Sequence, residues 1–283
     1  MALTVRTNIA SLSAIHQLNR TQGSLTTSLE RISSGLRVNR AADDAAGLSV
    51  ASRMASDNTS LSQAMRNTND GISMIQTAEG GLNELNNILV RMRELSVQAS
   101  NETYNSTDRS MITTEMTQLS SEYARIVTTA NFNRTNLLNG DDTAFNIQVG
   151  IQNSSADRIT INMSSLAAAA SDVGLKTLFG ASSMASSGQL GAAQTNIDLI
   201  DSALNDISTR RSRLGALQNR LENALSEASN YSQNLSASQS QIMDVDYASE
   251  SANMTRYQIQ QQAGVAALAQ AKAIPQSVIS LLS

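Results

Sequence analysis

The run "IDSALNDISTRRSRLGALQNRLENALSEASNYSQNLSASQSQI", Ile200 to Ile242, decides how this chain folds. Within it Ile200, Ile207, Leu214, Leu221, Ala228, Leu235 and Ile242 follow one another at intervals of seven, interleaved with Leu204, Leu217 and Leu225. A seven-residue apolar repeat sustained this long keeps one stripe of an α-helix facing a partner helix, and the pair winds into a left-handed supercoil. The spacing predicts one long helix over about 190–238. A stripe of that length needs an equally long surface to pack against.

Two other segments offer one. Leu61, Ile75, Leu82 and Leu89 are separated by multiples of seven, and Leu85, Met92 and Ala99 form a second line. Together they predict a helix over about 45–99. Glycine in a helix interior costs roughly 1 kcal/mol relative to alanine, so "EGG", Glu79–Gly81, is expected to loosen it. A third helix fits about 107–129, opening at Ser106 or Thr107 and carrying Met111, Met116, Leu119, Tyr123, Ile126 and Val127. Downstream, "NFNRTNLLNGDD" (131–142) is turn-rich. "AFNIQVG" (144–150) and "DRITINM" (157–163) alternate apolar with polar residues, which predicts a β-hairpin over about 143–164. Ser164 to Ala193 is mostly Ala, Ser and Gly and reads as a connector.

The two ends mirror each other. Leu18, Leu25 and Ile32 lie seven apart, as do Ile259, Ala266 and Ala273 near the other terminus. Ile15, Leu29 and Leu36 share a second register. Apolar burial contributes about 25 cal/mol per Å², so stripes made largely of alanine hold a lone helix pair only marginally. These ends need neighbours.

Composition narrows the chemistry. Aromatic residues are 3% of the chain and tryptophan is absent, which suits long helices side by side better than a thick globular core. The net charge of -4, with arginines and acids interspersed, gives no basic face for nucleic acid. There is no cysteine, so thiolate catalysis, disulfides and cysteine metal sites are excluded. His16 is the one histidine, so no two-histidine metal site and no HExxH exist, and no cofactor is expected. The N-terminal residues hold neither the unbroken apolar segment of a secretory signal nor a membrane span, so export is expected to use a route that reads no cleavable signal.

Asp43 and Asp44, in "SSGLRVNRAADDAAG" (33–47), fall where one predicted helix has ended and the next begins. A carboxylate there accepts free backbone N–H groups and meets the positive end of the helix dipole. Catalysis would need a pocket and partner groups that the chain lacks, so the pair reads as a joint between helices. "VRMRELSVQA" (90–99) places Arg91 and Glu94 at charge-pair spacing on a helix face, and the methionines fall within apolar stripes as core fillers.

Four long segments, "LERISSGLRVNRAADDAAGLSVASRM", "NTNDGISMIQTAEGGLNELNNILVRMRELSVQAS", "RLGALQNRLENAL" and "DVDYASESANMTRYQIQQQAGVAALAQAKAIPQSVISLLS", closely resemble bacterial flagellin. The resemblance implies a mainly α fold of coiled-coil helices with a small β-hairpin. It implies a discontinuous inner domain from 1–44 and 239–283, and a rod domain from 45–238 with no outer domains. It further implies a non-enzymatic subunit that self-assembles into the extracellular flagellar filament for swimming. Export would run through the flagellar type III apparatus, and the partners would be copies of itself, an export chaperone, a cap protein and hook-associated proteins. No nucleic acid or membrane insertion is implied. By that resemblance Leu18, Leu25, Leu29, Ile32, Ile259, Ala263, Ala266 and Ala273 pack between subunits, while Gly35, Arg37, Asp43, Asp44, Asp244 and Asp246 form the joint. Arg91, Leu95 and Glu115 would form a surface for a host innate immune receptor, although Val90 replaces the family's frequent glutamine. "FNR" at Phe132–Arg134 stands where the family usually has "FNG", so a turn that exploits glycine must accommodate Arg134. A hook–filament junction protein is the alternative of the same superfamily.

Overall fold

Five helices and two small hairpins make up the described chain: α1 (Ile9–Ser34), α2 (Ala45–Ala99), α3 (Ser106–Thr129), β1 (Asn131–Phe132), β2 (Thr135–Asn136), β3 (Ala144–Gln148), β4 (Arg158–Asn162), α4 (Leu190–Met243) and α5 (Tyr247–Leu282). The computed structural model describes residues 8–139, 144–162 and 190–282, and their side chains except at 190–192 and 274–282. Most of the predicted connector, up to residue 189, lies outside the described residues. Contacts divide the chain into two units, Met1–Asn58 with Gln233–Ser283, and Thr59–Ser232. These limits differ from the expected 44/45 and 238/239 because α2 and α4 run unbroken through them, leaving the first turns of α2 and the last of α4 in the terminal unit.

The Thr59–Ser232 unit is built on the heptads. Ile200, Ile207, Leu214, Leu221 and Ala228 of α4 are all buried, as are Leu61, Ile75, Leu82 and Leu89 of α2 and its second line of Ala64, Ala78, Leu85, Met92 and Ala99. Thr68 occupies the step between Leu61 and Ile75 at 1% exposure. Its Oγ1 donates to the Ala64 carbonyl at 2.8 Å, and buried Ser96 likewise donates to Met92 at 2.9 Å. Each hydroxyl finds its partner one turn back on its own helix, so the stripe tolerates them with no second polar group in the core.

Two expectations fail here. α2 does not loosen at Glu79–Gly81, because glycine serves packing there: a Cβ on Gly81 would lie 2.9 Å from Leu138 Cδ1. Met111 does not face the core either; it is 67% exposed, and its neighbour Ile112 is buried in its place. α3 begins with a reciprocal capping box in which Asn105 accepts the Asp108 N–H at 2.9 Å and Asp108 accepts the Asn105 N–H at 3.2 Å.

The turn-rich stretch after α3 is a structured lid on this core. Leu137 and Leu138 are fully buried, and β1 and β2 pair across Asn133 and Arg134. Both loop residues have positive φ, 47° and 67°, the pattern of a type I′ hairpin turn. β3 and β4 pair antiparallel with Phe145 opposite Ile161 and Ile147 opposite Ile159. Ile159 and Ile161 are buried and join the helical core, which makes this hairpin a wedge on the bundle. Alternation had located it within two residues at either end.

Candidate assembly site: the terminal helix pair and its joint

In the terminal unit α1 and α5 lie antiparallel. Asn8 Nδ2 donates to the Ala271 carbonyl at 2.8 Å, Gln261 donates to Gln22, and Ser28 Oγ donates to Glu250. Gly264 sits so close beneath Leu18 that a Cβ there would lie 3.2 Å from Leu18 Cδ1. The least exposed residues of α1 are Ser11, Ala14, Leu18, Thr21, Leu25, Ser28 and Ile32, in steps of three and four. On α5 the matching series is Glu250, Met254, Tyr257, Gln261, Gly264, Leu268 and Ala271. This is a coiled-coil seam with apolar side chains on one line of α1 and small or hydroxyl side chains on the other.

The eight residues read as subunit-packing therefore divide. Leu18, Leu25 and Ile32 belong to the seam within the chain. Leu29 is 47% and Ile259 61% exposed, and Ala263, Ala266 and Ala273 are exposed as well. Ile9, Leu12 and Ile15 of α1 and Val265 of α5 add to these outward apolar residues. The seam's second line escaped sequence reading because Ser11, Thr21 and Ser28 carry no hydrophobic signal; their heptad spacing to Leu18 and Leu25 was the available clue.

The joint is held largely by backbone. Gly35 ends α1 in the left-handed region at φ 74°, with its N–H donating to the Arg31 carbonyl at 2.9 Å. Leu36 then bridges Asp244 in antiparallel fashion. The Arg37 N–H donates to the Met243 carbonyl at 2.6 Å, the Val245 N–H donates to the Gly35 carbonyl at 3.0 Å, and Arg37 Nη2 reaches the Ile242 carbonyl at 2.6 Å. A cation thus meets the free carbonyls at the end of α4, which explains why that helix continues to Met243 rather than stopping near 238. Asp244 accepts the Ser240 hydroxyl, and Asp246 caps α5 by accepting the Ala248 N–H at 2.9 Å.

The two adjacent acids have separate structural tasks. Asp44 Oδ1 accepts the Gly47 N–H at 2.8 Å and caps α2. Asp43 Oδ2 accepts the N–H groups of Arg40 at 3.0 Å and Asn39 at 3.2 Å, closing the turn before the helix. The Arg40 N–H is the main cause holding the Asp43 carboxyl below the ordinary aspartate value.

Along α2, Arg91 donates to Glu115 on α3 at 2.8 Å and to Glu94 at 2.9 Å, so Arg91 and Glu115 share an exposed surface. Leu95 does not join them. It is 2% exposed and packs in the core, since position 95 falls on the buried side of the heptad. A second ion pair, Arg93 with Asp201 at 2.6 Å, ties α2 to α4 and was not foreseen from sequence. Among the described residues there is no group of three metal-ligating side chains, and no helix is long and apolar enough to cross a membrane.

Residues 5–143 match the family described as the bacterial flagellin N-terminal helical region, and residues 197–282 match the bacterial flagellin C-terminal helical region. The flagellin of Halalkalibacterium halodurans is 41% identical over 265 residues, covering 94% of this chain and 93% of the relative. The chain belongs to the bacterial flagellin family. The flagellin of Bacillus subtilis is 37% identical over 301 residues, with 97% and 98% of the two chains covered. A solved structure of a putative flagellar hook-associated protein from Vibrio parahaemolyticus shares the fold, at 13% identity and a TM-score of 0.61, covering 71% of this chain and all of that one. As a flagellin, the chain is a structural subunit of the flagellar filament.

Proposed function

We propose that this flagellin enters the filament by burying the outward face of its terminal helix pair against other copies, with the joint holding that pair at the end of the long helices. The observation that carries the reading is the line of large apolar residues left uncovered on that pair: Ile9, Leu12, Leu29, Ile259 and Val265 are between 47% and 67% exposed. Fully burying one such side chain contributes roughly 1.5–3 kcal/mol, more than the small-residue seam between α1 and α5 gains at most of its positions. Leu29, Ile259, Ala263, Ala266 and Ala273 would lie in subunit contacts, while Leu18, Leu25 and Ile32 prepare the pair that makes them. The joint formed by Gly35, Arg37, Asp43, Asp44, Asp244 and Asp246 carries the pair.

Export through the flagellar apparatus without a cleavable signal, delivery by a chaperone, and placement under a cap protein beside hook-associated proteins follow the family's way of working. The chain carries no catalytic role in this reading. Arg91 and Glu115 are the residues through which a host immune receptor would engage it.

Elongation on filament seeds tests the reading. The purified chain adds to seeds without limit, and Ile259→Asp suppresses that growth while leaving the circular-dichroism melting of the soluble chain in place. Growth that stops after a short ring indicates a junction protein. Unaffected growth of the Ile259→Asp variant overturns the assignment of the outward face. Brief proteolysis trims both ends of the soluble chain and spares the polymer; equal resistance of the two forms counts against coupled ordering and assembly.

A further inference from the structure

The heptad repeats of α1 and α5 leave their own alignment weakly determined. Shifting α5 by one heptad brings Ala271 to the place where Gly264 receives Leu18, a hole of nearly the same size, and the lines of small residues still meet. Asn8 would find another backbone carbonyl, and the Gln22–Gln261 pair is exposed and replaceable by water. One group has no such alternative. Glu250 is a carboxylate at a seam position with 8% of its surface exposed, and it accepts the Ser28 hydroxyl with Arg31 Nη1 at 4.0 Å. In the shifted pair it would remain buried and lose both partners. A buried charge left unpaired costs far more than a change of small apolar contacts.

We propose that Glu250, with Ser28 and Arg31, sets the register of the terminal helix pair, excluding the heptad-shifted pairing that the apolar stripe alone would admit. This rests on the filament reading for its purpose, since one register presents the outward apolar face identically in every copy. The polar seam residue is a specificity determinant, in the manner of a single buried polar residue that fixes coiled-coil alignment.

The absence of native cysteine permits a direct test by introduced pairs. Leu18→Cys with Gly264→Cys reports the observed register, and Leu18→Cys with Ala271→Cys reports a one-heptad shift. In polymer grown on seeds and then oxidised, the first pair cross-links and the second does not. Glu250→Leu makes the second pair cross-link at a yield comparable with the first, whereas Glu250→Gln, which still accepts from Ser28, keeps the single native product. A Glu250→Leu polymer with only the native cross-link overturns the proposal. Should Glu250→Leu not polymerise, Ser28→Ala with Arg31→Ala removes the same contacts from the other helix and is read identically. Failure of the cysteine pairs to enter polymer with Glu250 intact counts against the filament reading; the same pairs, oxidised in the soluble chain, still report the register.

Discussion

Arg134 holds a left-handed backbone at φ 67° without being glycine, next to Asn133, for which that region is less costly. The left-handed conformation costs a residue with a side chain roughly 1–2 kcal/mol, and glycine returns part of that gain through its greater freedom in the unfolded chain. Arg134→Gly should therefore stabilise the Thr59–Ser232 unit by about 0.5–1 kcal/mol in urea unfolding. A loss of stability would show that the arginine side chain contributes more than its backbone costs. Tyr123 makes a different prediction. Burial pushes its hydroxyl from 10.0 up to about 12, so the folded state keeps the proton after the unfolded chain has released it. Stability is complete below pH 10.0 and is lost as pH rises toward about 12. Tyr123→Phe should flatten that alkaline limb in unfolding free energy measured between those values.

At the scale of elements, Gly80 and Gly81 are neighbours with opposite surroundings. Nothing lies within 4 Å of a Cβ added at Gly80, while one at Gly81 meets Leu138. Gly80→Ala should raise stability by up to about 1 kcal/mol through helix propensity, and Gly81→Ala should lower it as Leu138 is displaced. Thermal unfolding of the two variants, compared directly, checks both signs. Sequence could not separate them, because propensity describes a residue within its own helix and the contact with Leu138 comes from a segment more than fifty positions away. The same limit explains the other misses: Thr68, Ser11 and Ser28 face inward through spacing that polarity conceals, and Leu137 and Leu138 are buried despite their turn-rich neighbours. What spacing does record it recorded well. The limits of α2 are those read from its heptads, the β3–β4 wedge followed from alternation, and the carboxylates of Asp43 and Asp44 were legible as caps because capping is a local event.

For the whole molecule, acid acts on caps and ion pairs at once. Arg93 holds the Asp201 carboxyl below its ordinary value, as the Arg40 N–H does for Asp43. Both contributions are present above the ordinary aspartate range and disappear as pH falls through the lowered values. Unfolding free energy should decline below about pH 4, and Asp201→Asn should make that decline shallower. A variant that keeps the full acid slope would locate the titration elsewhere.

The crossing of Gly35–Arg37 with Met243–Val245 ties the chain to itself across some two hundred residues. Once such a loop is fastened at its neck, doubling its length adds only about 0.6 kcal/mol of closure entropy. Passengers inserted between β4 and α4 are thus nearly weightless to the terminal pair, and tolerance of foreign cargo is a property of the knotless tie at its base rather than of the segment that receives it.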